Sequence, residues 1–183
     1  MCSFHIFDIS SYVNNRGFTT EEDLKDGNLS LGKSSLPLSE IKLFDNFIFQ
    51  GVPFCFTYNH DGDNIELNGQ KITFETQKIS KIHIIGNSSN GNLSGELVTY
   101  LDDAVVEKSK IVLTNFLETT PLEGNTAAKI FSYVHTPHGI NYDDKGILWY
   151  QCIELEKKSS INSIIFEDNP FVHLFSITFE SAL

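Results

Sequence analysis

The segment from Tyr133 to Asp144 holds the densest group of side chains that could do chemistry. Two histidines, His135 and His138, stand three positions apart, with a tyrosine on each side and two aspartates after them. Imidazole and carboxylate groups at this density could form a metal site, a general acid/base pair or the polar part of a sugar pocket. Pro137 prevents the helix on which metal-binding histidine pairs with this spacing usually lie. The residues alone therefore leave these three interpretations open, together with a plain solvated loop.

A second polar segment runs from Gly86 to Asn92 and contains Asn87 and Asn90. It connects two predicted strands, so it lacks the helix N-terminus that forms a phosphate cradle. Its amides could form hydrogen bonds with a ligand. A simple turn between strands is the alternative.

Standard catalytic motifs are absent from the sequence: there is no G-x-S-x-G elbow, Walker A loop, dinucleotide glycine motif or H-E-x-x-H pair. The stretch from Asp61 to Asn64 begins like a calcium-binding hand loop, but Ile65 occupies its third ligand position. The acidic pairs Asp102-Asp103, Asp143-Asp144 and Glu167-Asp168 leave room for a structural calcium assembled from distant loops. No specific set of metal ligands follows from their spacing, and no other cofactor is indicated.

The elements that position these loops are predicted to be strands, because apolar residues recur with a period of two in short runs rich in Ile, Val, Phe and Tyr. Asn68-Gly69 between two such runs is the strongest hairpin signal. The predicted strands are Phe4–Ile9, Ile41–Phe44, Phe47–Phe49, Val52–Tyr58, Asn64–Leu67, Gln70–Phe74, Lys78–Gly86, Gly95–Leu101, Val105–Leu113, Ala127–His135, Ile147–Leu155, Ile161–Phe166 and Val172–Phe179.

Many short strands with turn signals between them, and no alternating helices, predict an all-β fold: one antiparallel β-sandwich domain over residues 1–183. Strand parity places Trp149 in the core and Tyr150 outward, since Tyr150 shares its face with Glu154. His173 lies among phenylalanines on the last strand and is predicted to be a hydrogen-bonded core residue.

Composition and charge exclude several classes of protein. Aromatic residues make up 12% of the chain, more than a disordered chain contains, and the net charge of −11 with the single arginine Arg16 argues against nucleic-acid binding. No apolar run approaches the roughly 20 residues that a membrane span needs. Cys2, Cys55 and Cys152 are too scattered for a disulfide framework, and no signal peptide is visible. We expect a cytoplasmic protein, or an extracellular one if a leader has been lost.

Five segments of the sequence together follow a known pattern: Asp8-Ile9-Ser10, Asn14-Asn15-Arg16-Gly17, Gly51-Val52-Pro53-Phe54-Cys55-Phe56, Ile79–Gly86 with Asn90-Gly91 after it, and Asp168–Thr178. These segments resemble the galactose-binding-domain-like β-sandwiches found beside bacterial glycoside hydrolases. The resemblance implies a jelly roll of eight or nine strands, in which short loops at one end often hold a sugar and the other end often holds a structural calcium.

The leading hypothesis is a non-catalytic, lectin-like carbohydrate-binding module. A tyrosine would stack on the sugar while imidazole and amide groups bond its hydroxyls. One alternative is a small enzyme that uses His135 and His138 with Asp143 or Asp144. Another is a protein-interaction domain whose sandwich face meets a partner protein or, as a homodimer, a second copy of the chain. The ligand-binding candidates are Tyr133, His135, His138, Asn141, Tyr142, Asn87 and Asn90.

Overall fold

The computed structural model describes residues 3–181 of the 183-residue chain. Almost all regular structure in this range is β, with two short 3₁₀ turns at Leu24–Asp26 and Leu38–Glu40. The strands are β1 (Phe4–Phe7), β2 (Phe18–Thr19), β3 (Leu36–Pro37), β4 (Asn46–Phe49), β5 (Val52–Cys55), β6 (Ile65–Leu67), β7 (Lys71–Ser88), β8 (Leu93–Leu101), β9 (Ala104–Leu113), β10 (Asn125–Ile130), β11 (Val134–Thr136), β12 (Gly139–Asn141), β13 (Ile147–Glu154), β14 (Ser160–Phe166) and β15 (Asn169–Ser181).

The long strand β7 connects the two layers of the sandwich. Its first part pairs with β14, which continues through β8 to β9. Its second part lies between β13 and β15, which extend that layer to β10 on one side and to β1 and β6 on the other. All these pairings are antiparallel, so the predicted all-β antiparallel sandwich is confirmed. The sequence predicted two strands in place of β7, because polar residues interrupt its pattern where it passes from one layer to the other.

Apolar residues form two cores, one on each face of the layer that contains β13 and β15. The first lies between the two layers and includes Trp149, Ile84 and Ile177. The second includes Tyr150 and Phe175, and segments from outside the two layers cover it. Trp149 is 1% exposed, which confirms its predicted place in the core.

The outward placement predicted for Tyr150 is wrong, since this residue is only 8% exposed. The β4–β5 hairpin covers it, with the Phe49 ring 5.2 Å and the Phe54 ring 6.1 Å from the Tyr150 ring. Glu154 on the same face is exposed. The parity argument failed because only part of that face is open to solvent.

Two of the predicted strands differ in kind from the structure. Ile41–Phe44 forms no strand. Leu43 makes a single bridge to Phe56, and the left-handed φ of 57° at Phe44 ends any extended run. Ala127–His135 is divided between β10 and β11. β11 then turns back as the short β11–β12 hairpin, in which Thr136 pairs with Gly139.

Several connecting loops meet at the end of the sandwich where β7 finishes. Gly86 pairs with both Trp149 and Leu174 near the beginnings of β13 and β15. Ser35, just before β3, forms two backbone hydrogen bonds with His135 at 2.9 and 3.0 Å. The loop before β3 and the β11–β12 hairpin are therefore joined.

Cys55 and Cys152 are half-buried free thiols, whereas Cys2 lies outside the described residues. None of the helical segments in residues 3–181 has the length and apolar character needed to cross a bilayer.

Gly62 gives a direct test of how the loops are fastened to the sandwich. Its φ is +141°, and a Cβ at this position would lie 1.9 Å from the Asn15 carbonyl oxygen. We expect Gly62→Ala to lower the free energy of unfolding by about 3 kcal/mol or more, because backbone must move as well as adopt a strained φ. Urea denaturation followed by circular dichroism measures this change.

Gly51→Ala is the matched control. Gly51 also has a positive φ, +80°, but no atom lies within 4 Å of a Cβ placed there. The conformational cost alone is about 1–2 kcal/mol. Equal losses in the two variants would contradict the close approach of Gly62 to Asn15.

Candidate functional site

A buried carboxylate lies beneath the loops at this end. Asp63, in the turn before β6, is fully buried and accepts hydrogen bonds from the backbone N–H groups of Gly17 and Phe18, both at 2.9 Å. Asn64 Nδ2 donates a third at 2.8 Å. Burial raises the pKa of Asp63 to about 6, although these hydrogen bonds act in the opposite direction. Asp63 thereby fastens the chain entering β2 to the chain entering β6.

A network of side-chain amides extends from this carboxylate to His173. Asn15 Nδ2 lies 3.1 Å from Asn64 Oδ1 and 3.2 Å from His173 Nδ1. Asn28 Nδ2 donates to Asn15 Oδ1 at 2.7 Å, so the network also reaches the loop before β3. His173 is 1% exposed and hydrogen-bonded, which confirms the interpretation of this residue from the sequence.

The imidazole of His173 connects the network to an open space. His173 Nδ1 lies 3.2 Å from Asn15 Nδ2 and 3.3 Å from Asn64 Oδ1, so it can accept from the first or donate to the second. Nε2 lies 3.4 Å from Ser89 Oγ. Burial lowers the pKa of His173 to about 4, so the ring is neutral near pH 7.

Ser89 and His173, each 1% exposed, form the inner end of a pocket of about 280 Å³, which we call the His173 pocket. Apolar side chains form much of its wall, and both a cation and a carboxylate line it. A small number of polar groups converging on a mostly apolar concavity is the usual composition of a ligand site. The lining residues are Asn28, Leu29, Ser30, Leu31, Lys33, Glu66, Ser89, Pro170, Phe171 and His173.

The 28–34 loop that forms one wall is held in a tight turn. Leu29 N–H donates to Ser34 O, and Lys33 N–H donates to Ser30 O, both at 2.9 Å. Lys33 has a φ of 58°, a left-handed conformation that is unfavourable for a residue with a side chain. Strained residues of this kind concentrate at ligand sites, where the surrounding structure holds them.

Two opposite charges line the His173 pocket without forming an ion pair. Lys33 Nζ donates to Asn28 Oδ1 at 2.5 Å, and no ion pair within 4.0 Å joins Lys33 to Glu66. Burial raises the pKa of Glu66, and the charge of Lys33 opposes this rise. Both groups therefore face the pocket with hydrogen-bonding capacity that a ligand could use.

Some of the residues predicted from the 133–144 segment do come together. The rings of Tyr133 and Tyr142 lie 5.5 Å apart, and Tyr142 is 69% exposed. Asn141 Nδ2 donates to Asp144 Oδ2 at 2.8 Å, which orders the turn beside Tyr142. His138 is exposed in the turn between β11 and β12. Tyr142 and His138 are thus exposed at the surface, and Tyr133 and Asn141 are partly buried beside them.

His135 is placed differently from its neighbours, because it is 1% exposed. Its Nδ1 lies 2.8 Å from Thr19 Oγ1, which in turn lies 2.6 Å from Ser35 Oγ. Nε2 is buried with no hydrogen-bond partner among residues 3–181, and burial lowers the pKa of the ring. No hydrogen bond within this range joins His135 to His138. The backbone hydrogen bonds between His135 and Ser35, and the contact with Thr19, fasten the loop before β3.

Asn87 and Asn90 lie on either side of Ser89, the residue of this segment that lines the His173 pocket. Asn87 is fully buried, and its Nδ2 lies 3.4 Å from the Ile147 carbonyl. Asn90 is exposed in a turn with a φ of 59°. The hydroxyl in the His173 pocket belongs to Ser89, between the two predicted residues.

A further chain of buried titratable groups lies under the β4–β5 hairpin. Tyr150 Oη is 2.9 Å from His83 Nδ1, and His83 Nε2 is 3.0 Å from Glu180 Oε2. Burial raises the pKa of Tyr150, so its phenol stays protonated and both ring nitrogens of His83 are occupied. Within residues 3–181 no group of three or more His, Cys, Asp or Glu side chains is arranged to hold a metal ion.

Sequence reasoning missed most of the His173 pocket. Lys33, Glu66 and Phe171 lie in separate stretches with no common motif, and only the fold brings them together. The one local signal was Gly32-Lys33 within a polar run, which indicates a tight turn. No protein-family model and no curated protein matches the sequence, so the chemistry of the site itself must indicate its function.

The neutral state of His173 predicts a pH-dependent contribution to stability. Its pKa is about 4 in the folded chain, against 6.5 for an imidazole in the unfolded chain, so the unfolded chain binds more protons between these two pH values. The contribution is complete above pH 6.5 and is lost as the pH falls towards 4, by about 3 kcal/mol. We expect the difference in unfolding free energy between the wild type and His173→Gln to shrink by this amount from pH 7 to pH 4.

Urea denaturation at each pH measures this difference, and the subtraction removes the titration of all other groups that the two proteins share. An NMR titration of the His173 ring in the wild type gives the same answer if the variant does not fold. A ring that becomes protonated near pH 6.5 would contradict the buried, neutral state.

Proposed function

We propose that this chain is a non-catalytic carbohydrate-binding module that holds one sugar unit in the His173 pocket. The observation that carries the proposal is the convergence of buried polar groups, Ser89 and His173, with an apolar wall and two rim charges in one concavity. Such a site fixes a small polar ligand.

The chemistry of a sugar suits this lining. A sugar ring has apolar C–H faces, and each hydroxyl both donates and accepts hydrogen bonds. The half-buried Phe171 ring and the Leu29 side chain offer apolar contact. Ser89 and Lys33 can donate to hydroxyl oxygens, and the Glu66 carboxylate accepts from hydroxyl protons. A purely apolar ligand would leave these polar groups unpaired.

The size of the pocket favours a single ring. Its volume of about 280 Å³ lies at the lower end of the range for small-molecule sites. A hexose has about twelve non-hydrogen atoms, which at about −0.3 kcal/mol per atom gives a binding free energy near −4 kcal/mol and a Kd on the order of 1 mM. Weak binding to one sugar unit is the expected behaviour.

Two further observations support the proposal. The sequence resembles galactose-binding-domain-like modules, in which loops at one end of a jelly roll often hold a sugar. The His173 pocket uses Ser89, in the loop that follows β7, and the 28–34 loop. These loops lie at one end of the sandwich, the kind of place where the resemblance implies a sugar site.

The two alternatives from the sequence have less support. The enzyme hypothesis needs His135 and His138 to act together, but the first is buried and the second is exposed, and no hydrogen bond within residues 3–181 joins them. The interaction-domain hypothesis needs an apolar surface with a defined partner. The exposed Tyr142 ring remains a second place where a sugar could stack, and the binding experiment is designed to separate it from the pocket.

We expect Ser89→Ala and Phe171→Ala each to weaken sugar binding about fivefold to tenfold. The first removes a hydroxyl from the inner end of the pocket, and the second removes an apolar wall, each worth about 1 kcal/mol or slightly more. A glycan array identifies ligands, and saturation-transfer NMR with the matching monosaccharides, followed by calorimetry, measures their Kd.

Tyr142→Ala is the control for the exposed Tyr142 ring, and we expect it to leave the Kd of the monosaccharide unchanged. Loss of binding in Tyr142→Ala with normal binding in both pocket variants would move the site to the Tyr133–Tyr142 surface. The absence of binding to any mono- or oligosaccharide at millimolar concentration would overturn the proposal.

A further inference from the structure

We propose that Lys33 and Glu66 together make the His173 pocket selective for a neutral sugar with two adjacent hydroxyl groups, against sugar acids and amino sugars. This inference rests on the proposed function and adds the class of sugar. It follows from the presence of two opposite charges in one pocket. The contacts that each charged side chain makes within the chain leave it available to a ligand.

The two charged groups have unused hydrogen-bonding capacity. Lys33 Nζ has three N–H donors, and the hydrogen bond to Asn28 Oδ1 uses one of them. The carboxylate of Glu66 makes no hydrogen bond or ion pair with any described residue, although its backbone bonds to Asn14. The two groups stand more than the 4.0 Å limit of an ion pair apart, and the gap between them belongs to the lining of the pocket.

Adjacent hydroxyl groups can satisfy both ends of this gap at once. One hydroxyl oxygen accepts from the Lys33 ammonium, and the neighbouring hydroxyl donates to the Glu66 carboxylate. Both hydrogen bonds involve a charged partner and are therefore stronger than neutral ones. A single hydroxyl would reach only one of the charges.

Both charged residues are held in place before a ligand arrives. Lys33 is in a left-handed backbone conformation inside the closed 28–34 turn, and its partner Asn28 is bonded to the buried Asn15. Glu66 N–H donates to Asn14 Oδ1 at 2.7 Å, and Asn14 Nδ2 donates back to Glu66 O at 3.0 Å. Little conformational freedom of these two backbone positions is therefore lost on binding.

A charged sugar would disturb this balance. A sugar carboxylate in the same pocket would be attracted by Lys33 but repelled by Glu66, and the net charge of −11 opposes its approach. A sugar ammonium would be attracted by Glu66 but repelled by Lys33. A neutral diol meets both charges favourably, so the pocket distinguishes sugars of similar shape by their charge.

Matched sets of monosaccharides test this directly. Galactose, galacturonic acid and galactosamine share one ring and differ in charge, and the glucose and mannose sets repeat the comparison. We expect the wild type to bind the neutral member about tenfold more tightly than either charged member in the set it recognises, measured by calorimetry and saturation-transfer NMR.

Glu66→Gln and Lys33→Met remove one charge each while keeping a similar side-chain shape. We expect both variants to bind the neutral sugar about tenfold less tightly. Glu66→Gln should reduce the difference in Kd between the neutral sugar and the sugar acid. Lys33→Met should reduce the difference in Kd between the neutral sugar and the amino sugar. The control variants Glu22→Gln and Lys25→Met change exposed charges outside the pocket and should bind like the wild type.

The outcomes separate this inference from the proposed function. Sugar binding that is weakened by Ser89→Ala but keeps the same charge preference in Glu66→Gln and Lys33→Met overturns the selectivity and leaves the binding module intact. Tighter binding of the acid or the amine by the wild type overturns it as well. Failure of all the sugars to bind overturns the proposed function and this inference with it.

Discussion

The buried carboxylate of Asp63 is the constraint on which the candidate site depends. Removing a carboxylate from water is unfavourable unless donors replace the water, and here the donors are the backbone N–H groups of Gly17 and Phe18 and the amide of Asn64. These bonds fix the chain entering β2 against the chain entering β6. The amide network that reaches His173 and the 28–34 loop starts from this fixed point, so the pocket wall depends on it.

The same cluster has two titratable groups whose effects on stability oppose each other. Burial raises the pKa of Asp63 to about 6 from 3.8, so folding gains a proton there and stability increases as the pH falls through this range. Burial lowers the pKa of His173 to about 4, so stability decreases as the pH falls through nearly the same range. The two contributions, each about 3 kcal/mol, largely cancel. The net contribution of these two groups to the free energy of unfolding therefore changes little across mildly acidic pH.

The sequence predicted the strands and much of their parity, because a period of two directly reflects which side chains share a face. Trp149 is the clearest success. Tyr150 shows the limit of the method, because parity assigns residues to faces but does not tell which face a distant segment covers. The β4–β5 hairpin buries Tyr150 through contacts with Phe49 and Phe54, which lie about a hundred positions earlier in the chain.

The candidate site was harder to predict for a related reason. The 133–144 segment attracted attention because its titratable residues are close in sequence, but the fold turns His135 inward and His138 outward. The His173 pocket instead collects single residues from separate segments, such as Lys33, Glu66 and Ser89, none of which is distinctive alone. A β-sandwich brings distant loops together at its ends, so in this architecture long-range strand pairing decides which polar groups converge, and local density along the chain is a weak guide to the binding site.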